Sequence, residues 1–158
     1  MEATITKVEI IDYAPEYQAD FARLNVEWMT QYFGKQVDKH LENPEESIIS
    51  KGGFILFAKA KGEIVGTCAI LKETNKLYEI ADMAVAPQHR GKHIGKQLLT
   101  AAVEKVRATG ARQVYLTTSS KLTASLALYR TYGFRETGTD IEMSVYEGSD
   151  MKMVLNLK

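Results

Sequence analysis

The sequence has little of what marks several common classes of protein. Its 158 residues contain a single cysteine, Cys68, and only three prolines. One cysteine excludes an intrachain disulfide and fits a reducing compartment, so we expect a cytoplasmic protein. No apolar run approaches the ~18 residues of a membrane-spanning helix. Residues 1–4 are polar and acidic, unlike a signal peptide, and the sequence therefore predicts no association with a membrane.

Neither sign of charge is in excess. The chain has 20 lysine and arginine residues against 20 aspartate and glutamate residues, so its net charge gives no electrostatic reason to expect a nucleic-acid partner. Hydrophobic residues make up 45% of the chain, which is enough for one core at this length. No repeat, low-complexity tract or linker interrupts the sequence. We therefore expect a single domain over residues 1–158.

The periodicity of apolar residues predicts strands and helices in mixed order. Phe21, Leu24, Trp28 and Tyr32 recur at helical spacing, while other segments are rich in β-branched residues. Turns are expected at Lys61-Gly62 and Asn75-Lys76. The predicted elements are a strand at 4–11, a helix from near Pro15 to Gly34, a short helix at 38–43 that stops before Pro44, strands at 54–60, 63–71 and 78–85, a helix at 92–109 with Gly110 beyond its end, a strand at 113–118, a helix at 122–132 and two final strands.

Residues 88–99 are the most informative stretch of the chain. They join an apolar segment to an amphipathic helix through a basic, glycine-bearing turn. Such a turn points free main-chain N–H groups and the positive end of the helix dipole at one place, which favours a phosphate. Arg90, Lys92 and Lys96 add positive charge, and Gly91 and Gly95 let the backbone approach a ligand closely. The alternative is a plain helix cap without a ligand.

Two other phosphate motifs do not fit this turn. A Walker A loop has four residues between its glycines and then Lys-Ser/Thr, whereas three residues separate Gly91 from Gly95 and Gln97 follows Lys96. The dinucleotide fingerprint G-x-G-x-x-G is also missing from the stretch. The phosphorylated ligand must therefore be recognised in another way.

The turn resembles the coenzyme A pyrophosphate loop of the GNAT superfamily of N-acetyltransferases, whose pattern is Gln/Arg-x-x-Gly-x-Gly/Ala. Gln88 and Gly91 match this pattern, and His93 stands where glycine or alanine is usual. Histidine tolerates left-handed backbone better than a β-branched residue, so we expect the loop to form. Residues 78–87 are similar to the family's fourth strand. Residues 122–134 are similar to its last helix and Tyr-x-x-x-Gly-Phe exit, with Leu122 where many members have asparagine.

The resemblance implies the GNAT fold, an α/β (α+β) architecture with a mixed central sheet of about seven strands and about four helices, splayed between strands 4 and 5. It implies acetyl-CoA as co-substrate. The pair His89 and His93 lies in a turn without glutamate or cysteine around it, and we expect no metal. The residues implied to bind the cofactor are Met83, Ala84, Val85, Gln88, Arg90, Gly91, Lys92, His93, Ile94, Gly95 and Lys96.

The resemblance also implies catalytic roles. Glu79 would be the general base that deprotonates the amine, directly or through water, and Tyr129 the general acid that protonates the departing thiolate. A main-chain N–H, at Met83, would stabilise the oxyanion. The amine would attack acetyl-CoA directly in a ternary complex. The structural alternative for Glu79 is a strand glutamate that faces solvent, and the alternative for Tyr129 is an aromatic residue of the core. The alternative functions for the whole protein are a catalytically silent acyl-CoA sensor and an interaction module.

The acceptor is expected near the first helices and the last two strands. Trp28, Tyr32 and Phe33 are candidate substrate-binding residues for a small-molecule or peptide amine. The final strand, 151–157, alternates enough to pair at a sheet edge, where a homodimer is left open. Further candidates for an acceptor pocket, or simply for solvated loops, are Asp38, Asp140, Glu142, Tyr146, Glu147 and Asp150.

Overall fold

The computed structural model describes residues 7–34, 39–137 and 151–157. These residues form a seven-stranded mixed sheet in the order β1-β2-β3-β4-β5-β7-β6. Neighbouring strands are antiparallel except β4 and β5, which are parallel. The strands are β1 (Glu9–Asp12), β2 (Phe54–Ala60), β3 (Glu63–Thr74), β4 (Leu77–Val85), β5 (Gln113–Thr118), β6 (Arg135–Thr137) and β7 (Met151–Asn156).

Helices cover both faces of the sheet. In the described ranges the α-helices are α1 (Gln18–Phe33), α2 (Pro44–Ser47), α3 (Ile94–Ala108) and α4 (Thr123–Tyr132). The core between α1 and the sheet contains Phe21, Leu24 and Phe57. The other core contains α3 residues such as Leu98 and Val103. This two-faced layering confirms the predicted fold class. None of the described helices is both long enough and apolar enough to span a bilayer.

The elements that agree best with the sequence predictions are those defined by short local sequence patterns. The hairpin of β2 and β3 turns at Lys61-Gly62, where both residues have positive φ, as a tight hairpin turn requires. Strand β5 has the predicted bounds, and Gly110 follows α3 with φ +86°. Strand β3 runs to Thr74, three residues further than predicted. Helix α3 begins two residues later than predicted, because left-handed His93 breaks helical geometry just before Ile94.

The predicted end of a helix before Pro44 is wrong. Pro44 instead begins α2, because a proline at the first helical position removes only an N–H that would have no partner there. Asn43 caps this helix by accepting from the Glu46 N–H at 3.3 Å, and its Nδ2 donates to the Glu46 carboxylate at 2.9 Å. Lys39–Leu41 forms a short 3-10 turn. Asp38 lies outside the described residues.

The predicted edge position of the final strand is also wrong. Strand β7 lies between β5 and β6, and it pairs with β5 along its whole length and with β6 from Lys152 to Val154. The outer strands of the described sheet are β1 and β6. Alternation in a sequence shows that a strand has two different faces, but it carries no information about its neighbours. Strand β1 occupies Glu9–Asp12, and residues 4–6 of the strand predicted at 4–11 lie outside the described ranges.

Candidate active site

The sheet opens between β4 and β5. The two strands are paired only at Leu77↔Gln113, Tyr78↔Val114 and Glu79↔Tyr115, although β4 continues to Val85 and β5 to Thr118. A cavity of about 400 Å³ fills the opening and extends to the start of α3 and to α1 and α4. The described structure therefore has the splay that the resemblance implied, and the splay creates the room for a ligand.

A bulge in β4 shapes the floor of this cavity. The β3–β4 register shifts between Thr67 and Ala69, so that Asp82 and Met83 together face Cys68. Asp82 takes a left-handed conformation with φ +50° and is 6% exposed. The bulge turns the following residues of β4. Because the Ala86 N–H donates to Val65 in β3 at 2.8 Å, the main-chain groups of Val85 point to the other side, into the opening.

The turn before α3 presents a row of main-chain donors. Among the described residues, the N–H groups from Gly91 to Lys96 have no hydrogen-bond acceptor, and the first bonded amide is Gln97 N–H, which donates to His93 O at 3.2 Å. Gly91 has φ +76°, and nothing lies within 4 Å of the place where a Cβ would be. These N–H groups, the open space above Gly91 and the helix dipole together suit a pyrophosphate.

His93 forms the loop despite its departure from the family pattern. Its φ of 64° and ψ of 21° lie in the left-handed region, and it serves as the N-cap position of α3. A histidine there is more strained than a glycine but less than a β-branched residue. The expectation that the loop forms with His93 is thus confirmed.

We predict that His93→Val destabilises the protein, because a β-branched side chain fits the left-handed region poorly. The expected loss is on the order of 1–2 kcal/mol, which lowers Tm by about 2–8 °C for a domain of this size. Thermal unfolding followed by circular dichroism measures it, with His93→Gly as the control that keeps the backbone conformation. A His93→Val protein as stable as the wild type would contradict the prediction.

Arg90 lies against α1. Its Nε donates to Val85 O at 3.1 Å, and its Nη1 donates to Gln31 Oε1 at 2.6 Å. The guanidinium carbon lies 5.4 Å from the centre of the Tyr32 ring, a cation–π distance, and Nη2 is buried without a partner among the described residues. Arg90 therefore ties the loop to α1 and covers a carbonyl that faces the opening.

The structure brings most of the predicted site residues together. Ala84 is buried against the α1 core, while Gln88 and Lys92 lie outside the cavity lining. Phe33 is the last residue of α1. The candidates Asp140, Glu142, Tyr146, Glu147 and Asp150 lie outside the described residues. The predicted residues that line the cavity are Trp28, Tyr32, Glu79, Met83, Val85, Arg90, Gly91, His93, Ile94, Gly95, Lys96 and Tyr129.

Glu79 lies at the inner end of the opening, where the β4–β5 pairing stops. Its partner across the strands is Tyr115, whose hydroxyl oxygen lies 3.3 Å from Glu79 Oε1 and 2.8 Å from Glu73 Oε1. Burial, followed by the nearby charge of Glu79, raises the pKa of Tyr115, so this hydroxyl keeps its proton at neutral pH. Glu79 is therefore a partly buried carboxylate beside a protonated tyrosine hydroxyl, which also contacts the second carboxylate, Glu73.

Tyr129 lines the cavity from α4. Its ring packs edge-on against Phe134 at 6.0 Å, and its hydroxyl has no hydrogen-bond partner among the described residues. Burial, followed by the Coulombic effect of the nearby Cys68 side chain, raises the pKa of Tyr129. Tyr129 therefore packs against the core and also lines the cavity, so its position is compatible with both alternatives from the sequence.

We predict that the protein loses stability at alkaline pH, because the Cys68 thiol and the Tyr129 hydroxyl are buried in their protonated forms. Burial, and then the nearby Asp82 carboxylate, raises the pKa of the Cys68 thiol, and the pKa of Tyr129 is also raised. The folded chain thus binds these protons more tightly than the unfolded chain. The stabilisation is complete below the unfolded pKa values of about 8.5 and 10, and is lost as pH rises above them. Urea unfolding between pH 7 and 10.5 measures the loss, which Cys68→Ala should reduce. A free energy of unfolding that does not fall over this range would contradict the prediction.

Several lining residues were missed from the sequence. Asp82 could have been noticed in the sequence, because it is a polar residue in an apolar strand. The hydrophobic pattern does not show the bulge that buries it. His89 lies in the predicted turn but was considered only as a metal ligand, and Thr117 and Ser125 gave no signal, because a position in a strand or helix shows no distance to the opening. Among the described residues, no group of three or more His, Cys, Asp and Glu side chains is placed to hold a metal ion.

Comparison with known proteins agrees with this geometry. Residues 14–134 match the model of the acetyltransferase (GNAT) family. N-acetyltransferase family 8 member 2 of Rattus norvegicus is 30% identical over 112 residues, which are 68% of this chain and 50% of that protein. The chain spans about half the length of the curated relatives it matches, between 38% and 55% for three of them.

Solved structures share the fold. An acetyltransferase of the GNAT family from Staphylococcus aureus Mu50 has a TM-score of 0.84 at 24% identity, covering 96% of this chain and 100% of that one. A GNAT phosphinothricin acetyltransferase from Sinorhizobium meliloti, solved in complex with acetyl-CoA, has a TM-score of 0.76 at 21% identity, covering 95% and 88%. With the splayed strands, the donor-rich turn and the match over residues 14–134, the chain belongs to the GNAT acetyltransferase family.

Proposed function

We propose that this protein transfers an acetyl group from acetyl-CoA to a primary amine. The observation that carries the proposal is the row of main-chain donors from Gly91 to Lys96, which opens onto the same cavity as Glu79 and Tyr129. A pyrophosphate bound to these N–H groups gives the rest of coenzyme A a direct path along β4 into the opening.

The loop residues would hold the cofactor mainly through the main chain. The Gly91–Lys96 amides suit the pyrophosphate, and the main-chain groups of Val85 suit the amide-bearing arm of the cofactor. Lys96 is an exposed cation beside this turn. Arg90 binds Val85 O through Nε and Gln31 Oε1 through Nη1, so the nitrogen left for its predicted contact with the cofactor is Nη2, which has no partner among the described residues.

Acetyl-CoA, when bound, supplies a thioester that an uncharged amine can attack. Glu79 would take the proton that makes the amine uncharged, since an alkylamine with a pKa near 10.4 is mostly protonated at neutral pH. The Met83 N–H would donate to the charge that develops on the acetyl oxygen. Tyr129 would donate its hydroxyl proton to the departing sulfur, and its raised pKa keeps that proton available at neutral pH.

The acceptor would enter from the α1 side of the cavity. Trp28 and Tyr32 form an aromatic pair there, with ring centres 5.2 Å apart, and both line the cavity. Glu79 adds negative charge at the inner end, which favours a cationic amine over an anion. Small amines, amino acids and peptide amino groups all present this chemistry.

The test is an acetylation assay with acetyl-CoA and a panel of amines from these classes, following the release of free thiol. We expect turnover with at least one class of amine, by sequential kinetics without an acetyl-enzyme. Isothermal titration with acetyl-CoA is run in parallel. Binding without turnover would favour the silent sensor, and the absence of both would favour an interaction module.

A further inference from the structure

A tyrosine and a second glutamate connect the proposed base to solvent. Tyr115 lies beside Glu79 in the parallel β4–β5 register, and Glu73 comes from the adjacent end of β3. The Tyr115 oxygen is 3.3 Å from Glu79 Oε1 and 2.8 Å from Glu73 Oε1. Glu79 lines the cavity, whereas Tyr115 is partly buried and outside its lining, and Glu73 is exposed. The two oxygen–oxygen contacts thus connect the cavity, through Tyr115, with the surface.

The single proton of the Tyr115 hydroxyl sets the direction in which protons can move through the three side chains. A hydroxyl can donate one hydrogen bond, and the shorter distance assigns that bond to Glu73. The lone pairs of the same oxygen then face Glu79, where they accept a hydrogen bond when Glu79 is protonated. The arrangement suits a proton that arrives at Glu79 and leaves at Glu73.

We propose that Glu79, Tyr115 and Glu73 form a proton relay that carries the amine proton from the active site to solvent. The proposal rests on the proposed acetyltransferase function, with Glu79 as its base. The N–H bond of the ammonium breaks, and its proton goes to the Glu79 carboxylate. Glu79 then passes a proton to the Tyr115 oxygen while the Tyr115 proton moves to Glu73, which releases it to water. One proton leaves in each turnover, and all three side chains return to their initial protonation states.

The charges around Tyr115 are compatible with this role. Glu73 faces it from β3, Glu79 from β4 and Lys152 from β7, with Lys152 Nζ 4.3 Å from the centre of the tyrosine ring. Lys152 is 5% exposed, so its charge acts on the ring with little screening and holds it in place. Tyr115 therefore acts as a positioning and proton-passing residue, and it does not line the acceptor cavity.

The test compares Tyr115→Phe and Glu73→Gln with the wild type at low buffer concentration. The first variant keeps the ring and removes the hydroxyl. The second keeps a hydrogen-bond acceptor but cannot take a proton. We expect kcat to fall about tenfold in each, with an unchanged KM for the amine, and the double variant to be no slower than Tyr115→Phe. Raising the imidazole concentration should restore kcat in Glu73→Gln, because a small base can replace the missing proton acceptor.

Controls separate the relay from the proposed function. Glu63→Gln changes another exposed glutamate of β3 and should leave kcat unchanged at every buffer concentration. If Glu73→Gln and Tyr115→Phe both keep the wild-type kcat while Glu79→Gln is inactive, the relay is overturned and the base stands. A loss in Glu73→Gln that imidazole does not restore also overturns it. If the wild type acetylates no amine at all, the proposed function fails, and the relay fails with it. Should Tyr115→Phe not fold, Glu73→Gln decides alone.

Discussion

Gly91→Asp is expected to abolish acetyl-CoA binding, with a Kd at least about 100-fold higher. The substitution places a carboxylate where the proposed pyrophosphate approaches the Gly91–Lys96 amides. Two like unit charges 4 Å apart repel by about 4 kcal/mol at an effective dielectric constant of 20, and each 1.4 kcal/mol is a factor of ten in Kd. Isothermal titration with acetyl-CoA measures the effect.

The chain offers two matched controls for this variant. Gly110 has φ +86° and equally open surroundings at the other end of α3, so Gly110→Asp carries the same backbone strain away from the cavity. It should bind acetyl-CoA like the wild type. Gly91→Asn adds a similar volume without the charge, and its loss of affinity should be much smaller. If Gly91→Asp binds as tightly as Gly110→Asp, the donor-rich turn is not the phosphate site.

Glu79→Gln is expected to lower kcat at neutral pH by about 10²–10⁴-fold and to leave the Kd for acetyl-CoA unchanged. The glutamine keeps the size of the side chain and the contact with Tyr115 but cannot take a proton from the amine. The deficit should shrink as pH rises toward the amine pKa of about 10.4, because free amine then forms without a base. Steady-state kinetics from pH 7 to 9.5 measure both effects.

Glu63→Gln is the control for the loss of one negative charge. A Glu79→Gln enzyme with the wild-type kcat would show that Glu79 is a structural strand residue and that water alone removes the amine proton. The sensor alternative gives a different result, in which the wild type binds acetyl-CoA and neither protein turns over. The experiment thus distinguishes a misassigned base from a protein without activity.

Sequence patterns predicted the elements whose geometry depends on near neighbours. The α1 periodicity, the Lys61-Gly62 hairpin turn and strand β5 each rest on residues a few positions apart. The turn from Gln88 to Lys96 belongs to the same class, because its conformation is set by Gly91, His93 and the start of α3. This is why the turn before α3 could be predicted before any tertiary contact was known.

Other features depend on contacts between distant parts of the chain. Arg90 was expected beside a phosphate because of its charge, but its long side chain reaches Gln31, which is 59 positions away. The contact of Tyr115 in β5 with Glu73 in β3 crosses β4, which pairs with both strands. No periodicity encodes such contacts. Pro44 shows a different difficulty, since the same residue can end one helix or begin the next.

The place of β7 in the sheet also constrains the order in which the protein can be assembled during synthesis. Strand β6 leaves the ribosome before β7, yet in the described sheet it pairs with β7 alone. Until Met151–Asn156 emerges, one side of β5, which forms a wall of the cavity, has no partner strand. A nascent chain therefore has an open sheet edge at β5 until the later strand pairs with it. During that interval the chain is most exposed to pairing with a foreign strand.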